Sequence, residues 1–72
     1  MNVYLFKLAN PEIYGSGQAI VAANDHNEAW STLEKELGWE SEFFSQNRYE
    51  QIHSLTYTLN EATVITYNCY IE

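Results

Sequence analysis

The stretch Asp25-His26-Asn27-Glu28-Ala29-Trp30-Ser31-Thr32-Leu33-Glu34-Lys35-Glu36-Leu37-Gly38 carries both ends and one buried face of a helix. Asp25 and Glu28 form the Asp-x-x-Glu version of a capping box. In that motif the Asp25 carboxylate accepts from the Glu28 amide, and the Glu28 carboxylate reaches back to the Asp25 amide. At about 100° per residue, His26, Ala29, Trp30, Leu33 and Leu37 fall within an arc of about 100°. Asn27, Glu28, Ser31, Thr32, Glu34, Lys35 and Glu36 lie outside that arc. Gly38 follows as a residue that tolerates positive φ and stops the helix. The spacing predicts a helix over 26–37 whose apolar stripe needs a partner surface elsewhere in the chain.

The flanking segments supply that surface in β form. Val3 to Ala9 and Gln18 to Ala23 are β-like runs separated by Asn10-Pro11-Glu12-Ile13-Tyr14-Gly15-Ser16-Gly17. Asn-Pro and Gly-Ser-Gly are turn chemistry, so the pair reads as a hairpin with a long tip. Downstream, Trp39 to Glu50 mixes aromatics with Glu, Ser, Gln, Asn and Arg, and its periodicity fades early. A loop containing one short helical turn is the expectation there. From Ile52 the period becomes two: His53, Leu55, Tyr57 and Leu59 alternate with Ile52, Ser54, Thr56 and Thr58. After a turn at Asn60-Glu61, Thr63 to Ile71 alternates again and is rich in β-branched and aromatic residues.

The resulting order, ββαββ, predicts an α+β two-layer sandwich: a four-stranded, mainly antiparallel sheet with one amphipathic helix on one face. The helix stripe is expected to meet Tyr4, Phe6 and Leu8, with Leu55, Tyr57, Leu59, Ile65, Tyr67 and Ile71 completing the layer. Val3, Leu5, Ile52, Val64 and Tyr70 then face away from the helix, together with Lys7 and several threonines. A sheet covered on one side should be mostly polar on the other, so this apolar remainder marks a candidate protein-interaction surface.

Composition narrows the function classes. The chain has 72 residues, room for one small domain over 1–72, with 46% hydrophobic and 15% aromatic residues. A domain of this size buries only about 60% of the surface its unfolded chain exposes. Lys and Arg number 3 against 10 Asp and Glu, a formal net charge of −7. Direct binding to a nucleic-acid backbone needs clustered cations and is not expected. No apolar run approaches the roughly 18 residues of a membrane span, and Lys7 interrupts the early apolar stretch where a signal sequence would lie. A cytoplasmic protein without a membrane contact is the expectation. The single cysteine, Cys69, excludes an internal disulfide framework.

Chemistry-bearing patterns are weak. His26-x-Glu28 resembles the His-x-Glu of zinc deaminases, but the accompanying Pro-Cys-x-x-Cys element is absent. His26, His53 and Cys69 match no metal-ligand spacing. Gly15-Ser16-Gly17 lacks the Lys-Ser/Thr of a phosphate loop and leads into a strand, where such a loop opens a helix. No catalytic, cofactor or metal site is expected, and the chain is not read as an enzyme. Trp39, Phe43, Phe44, Arg48 and Tyr49 form a second interaction candidate, because aromatics with one Arg are common hot-spot chemistry. The closely spaced Glu34, Glu36, Glu40 and Glu42 suggest a different class of function. Arrayed carboxylates can imitate phosphates in an acidic inhibitor or decoy that occludes a basic nucleic-acid-binding surface. The leading expectation is a non-catalytic protein-interaction domain that binds another protein or itself, as a homodimer, through the helix-free sheet face.

Overall fold

Two strands from the first third of the chain form the centre of the molecule. In the computed structural model, which describes residues 1–10, 16–55 and 61–70 (without the side chains of 16 and 68–70), β1 spans Asn2–Leu8 and β2 spans Ser16–Ala23. They pair antiparallel from Asn2↔Ala23 to Lys7↔Gln18, as the hairpin pattern predicts. Of the connection expected at 10–17, residues 11–15 lie outside the described residues, while Ser16 and Gly17 belong to β2.

Helix α1 spans His26–Leu37, the predicted range. Asp25 is its N-cap, and its Oδ1 accepts from the Glu28 amide at 2.8 Å. The reciprocal half of the box differs by one residue from the sequence expectation. Glu28 Oε1 accepts from the amide of Asn24 at 2.8 Å, while the Asp25 carbonyl takes the first helical bond from the Ala29 amide at 3.0 Å. At the other end Gly38 adopts φ +63° and ψ −128°, and its amide donates to the Glu34 carbonyl. Glycine alone visits this backbone region without strain. The chain then enters a 3-10 helix at Gly38–Phe43, where the Ser41 hydroxyl donates to the Gly38 carbonyl at 2.8 Å. This is the expected short helical turn.

The expected loop does not continue beyond it. Strand β3 runs Phe44–Ser54, eight residues ahead of the Ile52 start suggested by alternation. Only Phe44 is buried, and the rest of β3 is half-buried or exposed. An outer strand with no buried face has no reason to alternate apolar and polar residues, so its sequence carries no period of two. Strand β4 spans Thr63–Tyr70. The sheet order is β3-β1-β2-β4 with every pairing antiparallel, and α1 packs on one face. This is the α+β two-layer arrangement in ββαββ order.

The core lies between α1 and the two inner strands. Tyr4, Phe6 and Leu8 of β1, Ala19, Val21 and Ala23 of β2, Phe44 of β3, and Ala29 and Leu33 of α1 form one buried cluster. Trp30 and Leu37 close the helix side, with the Trp30 and Phe6 rings 5.4 Å apart. The alanines at 19, 23 and 29 bring helix and sheet together where larger side chains would hold them apart. No helix among the described residues is long and apolar enough to cross a membrane.

Two face assignments made from alternation are corrected by bulges. Ile20 pairs with Thr66 and Val21 with Val64, so Ile65 is an extra residue in β4. The bulge resets the alternation, and Val64 joins the helix side, packed against the core. Tyr67, opposite Ala19, shares that side, as expected, but remains 42% exposed. Ile65 does not complete the helix-covered layer and is 55% exposed. On the opposite edge Val3 pairs with His53 and Tyr4 with Gln51, which makes Ile52 the bulged residue of β3. Leu55 is half-buried and its amide donates to the Met1 carbonyl at 2.8 Å. Tyr57, Leu59 and Ile71 lie outside the described residues.

Candidate interaction surfaces

The helix-free face is built by the alternate residues of β1 and β2. Val3 stands opposite Ala22 and Leu5 opposite Ile20, two apolar cross-strand pairs in the middle of the sheet. Polar positions surround them: His53 and Glu50 on β3, and Thr63 and Thr66 on β4. Val3 is only 6% exposed and Ala22 is fully buried, whereas Leu5 and Ile20 are half-buried. The surface expected from Val3, Leu5, Ile52, Val64 and Tyr70 is therefore not one contiguous patch. Val3 is enclosed, Ile52 sits in the β3 bulge and Val64 belongs to the other face. The Tyr70 side chain lies outside the described residues. Ile20 and Ala22 belong to the helix-free face, and plain alternation along β2 was sufficient to find them.

The second candidate group divides between the two ends of α1. Trp39, 71% exposed, meets the half-buried Phe43 edge-on at 5.6 Å just beyond the helix C-terminus. Phe44 is core. Tyr49 stacks on His26 at the helix N-terminus, about 18 Å away along a twelve-residue helix. Arg48 is exposed on β3 within the segment 45–48 that faces Lys7 alone, because Leu8 pairs with Phe44 and Phe6 with Tyr49. The five residues do not form a single grip.

A third surface has no local signature in the sequence. Between the last turn of α1 and β4 lies an open groove of about 380 Å³, lined by Glu36, Leu37, Val64, Ile65, Thr66 and Tyr67. Glu36 crosses it, and its Oε2 accepts from the Val64 amide at 2.8 Å. The Tyr67 hydroxyl donates to Glu40 Oε2 at 3.5 Å, at the limit of a hydrogen bond. Nothing in the sequence marks Glu36 as different from Glu34, since the distinction arises only when β4 arrives beside the helix.

The histidines do not converge. His26 lies on the helix side against Tyr49, and His53 shares the register of Val3 on the other side of the sheet. The Cys69 side chain lies outside the described residues. Among the described residues no group of three His, Cys, Asp or Glu side chains gathers to hold a metal ion. Of the four clustered carboxylates, Glu36 and Glu40 accept hydrogen bonds from β4, and Glu34, Glu36 and Glu42 are exposed. Neither a known protein family, nor a curated protein, nor a solved structure matches the chain.

Proposed function

We propose that this chain is a non-catalytic domain that works by binding another protein. The observation that carries this reading is the placement of its large apolar side chains. Trp39, Ile52, Ile65 and Tyr67 are all more than 40% exposed although the helix–sheet core is already complete without them. Single exposed apolar residues are ordinary, but Ile65 and Tyr67 line one groove with the half-buried Leu37 and Val64. Aromatic and aliphatic anchors around a depression are the usual centre of a protein contact.

The phosphate-imitating inhibitor is less well supported. Two of its four carboxylates turn toward β4, Glu36 accepting from the Val64 amide and Glu40 from the Tyr67 hydroxyl, so the four do not stand together as one free array. In-cell photo-crosslinking tests the leading reading. A benzophenone amino acid in place of Trp39 or Ile65 should give a discrete protein adduct, and the same probe at Gln46 should not. Absence of any discrete adduct at either position, with the folded chain recovered, would overturn it.

A further inference from the structure

Resting on the protein-binding reading, we propose that the groove between α1 and β4 takes an extended, cationic segment of another protein as an added strand. Strand β4 is the last in the order β3-β1-β2-β4, so its outer edge is a template for main-chain pairing. The Val64 amide is satisfied by the Glu36 carboxylate from α1, at 2.8 Å. That oxygen stands where the carbonyl of an incoming strand would stand. From Thr66 to Tyr70 the edge is in unbroken register with Ser16 to Ile20, long enough for several ladder bonds. The other edge is a poorer template, because β3 breaks register twice, at Ile52 and across 45–48, where β4 breaks once, at Ile65.

The lining selects the occupant. Leu37 and Val64 are half-buried, and Ile65 and Tyr67 are exposed beside them, so alternate apolar side chains of an extended segment find apolar contacts. Glu36 lies in the groove and Glu40 reaches its Tyr67 end. A strand that displaces Glu36 from the Val64 amide frees a carboxylate for a Lys or Arg of that strand. An acidic segment meets repulsion, and a second copy of this chain brings a net charge of −7. The occupant is therefore a heterologous extended segment in which every second residue faces the groove, and those residues include both apolar and cationic side chains.

Titration of the isotopically labelled chain with an acetylated, amidated peptide in which every second residue is Val or Arg in turn, with Thr between them, tests this by backbone amide resonances. Saturable shifts are expected at Val64 to Asn68 and at Leu37, and the same peptide with Glu in place of Arg should cause none. Two further peptides carry N-methyl groups on either the odd or the even amides. One should bind like the parent and the other more weakly on the order of tenfold, the effect of about two lost hydrogen bonds. Glu36→Gln should weaken the cationic peptide several-fold while leaving the fold intact. Equal binding of both methylated peptides would show contact by charge alone and overturn the added strand, as would no shift at millimolar peptide. Saturable shifts on β3 or on the Leu5–Ile20 face would overturn the groove as the site while leaving the chain a binding domain.

Discussion

The imidazole of His26 and the phenol ring of Tyr49 lie parallel, 4.5 Å apart with 6° between their planes. His26 is the first residue of α1 and Tyr49 lies mid-way along the outer strand β3, so the stack joins the helix N-terminus to an edge of the sheet. Tyr49 also meets Tyr4 edge-on and Phe6 at a tilt, each with ring centroids 6.1 Å apart. Beyond its main-chain pairing with β1 and the buried Phe44 at its start, the outer strand thereby gains an aromatic contact with the core through Tyr49. A double-mutant cycle of His26→Ala and Tyr49→Ala should give a coupling of about 0.5–1.5 kcal/mol. Denaturant unfolding measures it, and simple additivity of the two losses would mean that the stack contributes nothing.

The capping box should be separable into its two halves. Asp25→Ala removes the acceptor of the Glu28 amide and should cost about 1 kcal/mol. Glu28→Ala should cost less and has a local signature, because its carboxylate holds the Asn24 amide. Hydrogen exchange at Asn24 should accelerate in Glu28→Ala while Asn24 keeps its protection in Ser31→Ala, an exposed control position in the helix.

The helix was legible in full because its cap, its stripe and its stop all lie within one continuous segment. The inner hairpin was legible for a related reason: β1 and β2 are buried in the middle of the sheet and carry turn residues between them. The errors fall on the outer strands. Residues 44–51 look like a loop because an exposed edge imposes no apolar alternation on Ser45, Gln46, Asn47 and Arg48. Plain alternation puts Val64 on the wrong face because one extra residue, Ile65, inverts every assignment across it. The α1–β4 groove was illegible, since it joins residues 36 and 37 to residues 64–67 across a contact that no local pattern records.

Leu33 is fully buried at the centre of the helix face. Leu33→Ala should cost about 2–5 kcal/mol through lost transfer energy and the cavity left behind. Total stability for a small domain is about 5–15 kcal/mol, so thermal unfolding should show a lowered midpoint or loss of the cooperative transition. A midpoint within a degree or so of the parent would contradict the packing of α1 on the sheet.

Gly38 tests the backbone alone. An added Cβ at this position meets no heavy atom within 4 Å, so Gly38→Ala introduces no clash. The remaining penalty is the positive φ, and a non-glycine residue in such a region costs on the order of 1–3 kcal/mol. Denaturant unfolding should show that loss with an unchanged m-value. An increase in stability would mean that the chain leaves the helix with a different backbone.

Self-association through the helix-free face is decided by two charge substitutions that the bulge in β4 sets apart. Leu5 and Ile20 are half-buried neighbours in the middle of that face, while Val64 packs against the core on the other. If two copies pair through this face, their like net charge of −7 opposes the contact. Exposed charges are screened beyond roughly 8 Å at ~0.15 M salt, so the solution mass should rise with added salt. Leu5→Glu should return the mass to that of a folded monomer with little change in melting temperature. Val64→Glu should act differently, since it places a carboxylate against the core and should cost about 1–3 kcal/mol. Sedimentation and thermal melts on the two variants separate these outcomes. A parent chain that stays monomeric at high concentration and high salt removes self-association and leaves only heterologous partners. A Val64→Glu variant as stable as the parent would return Val64 to the helix-free face.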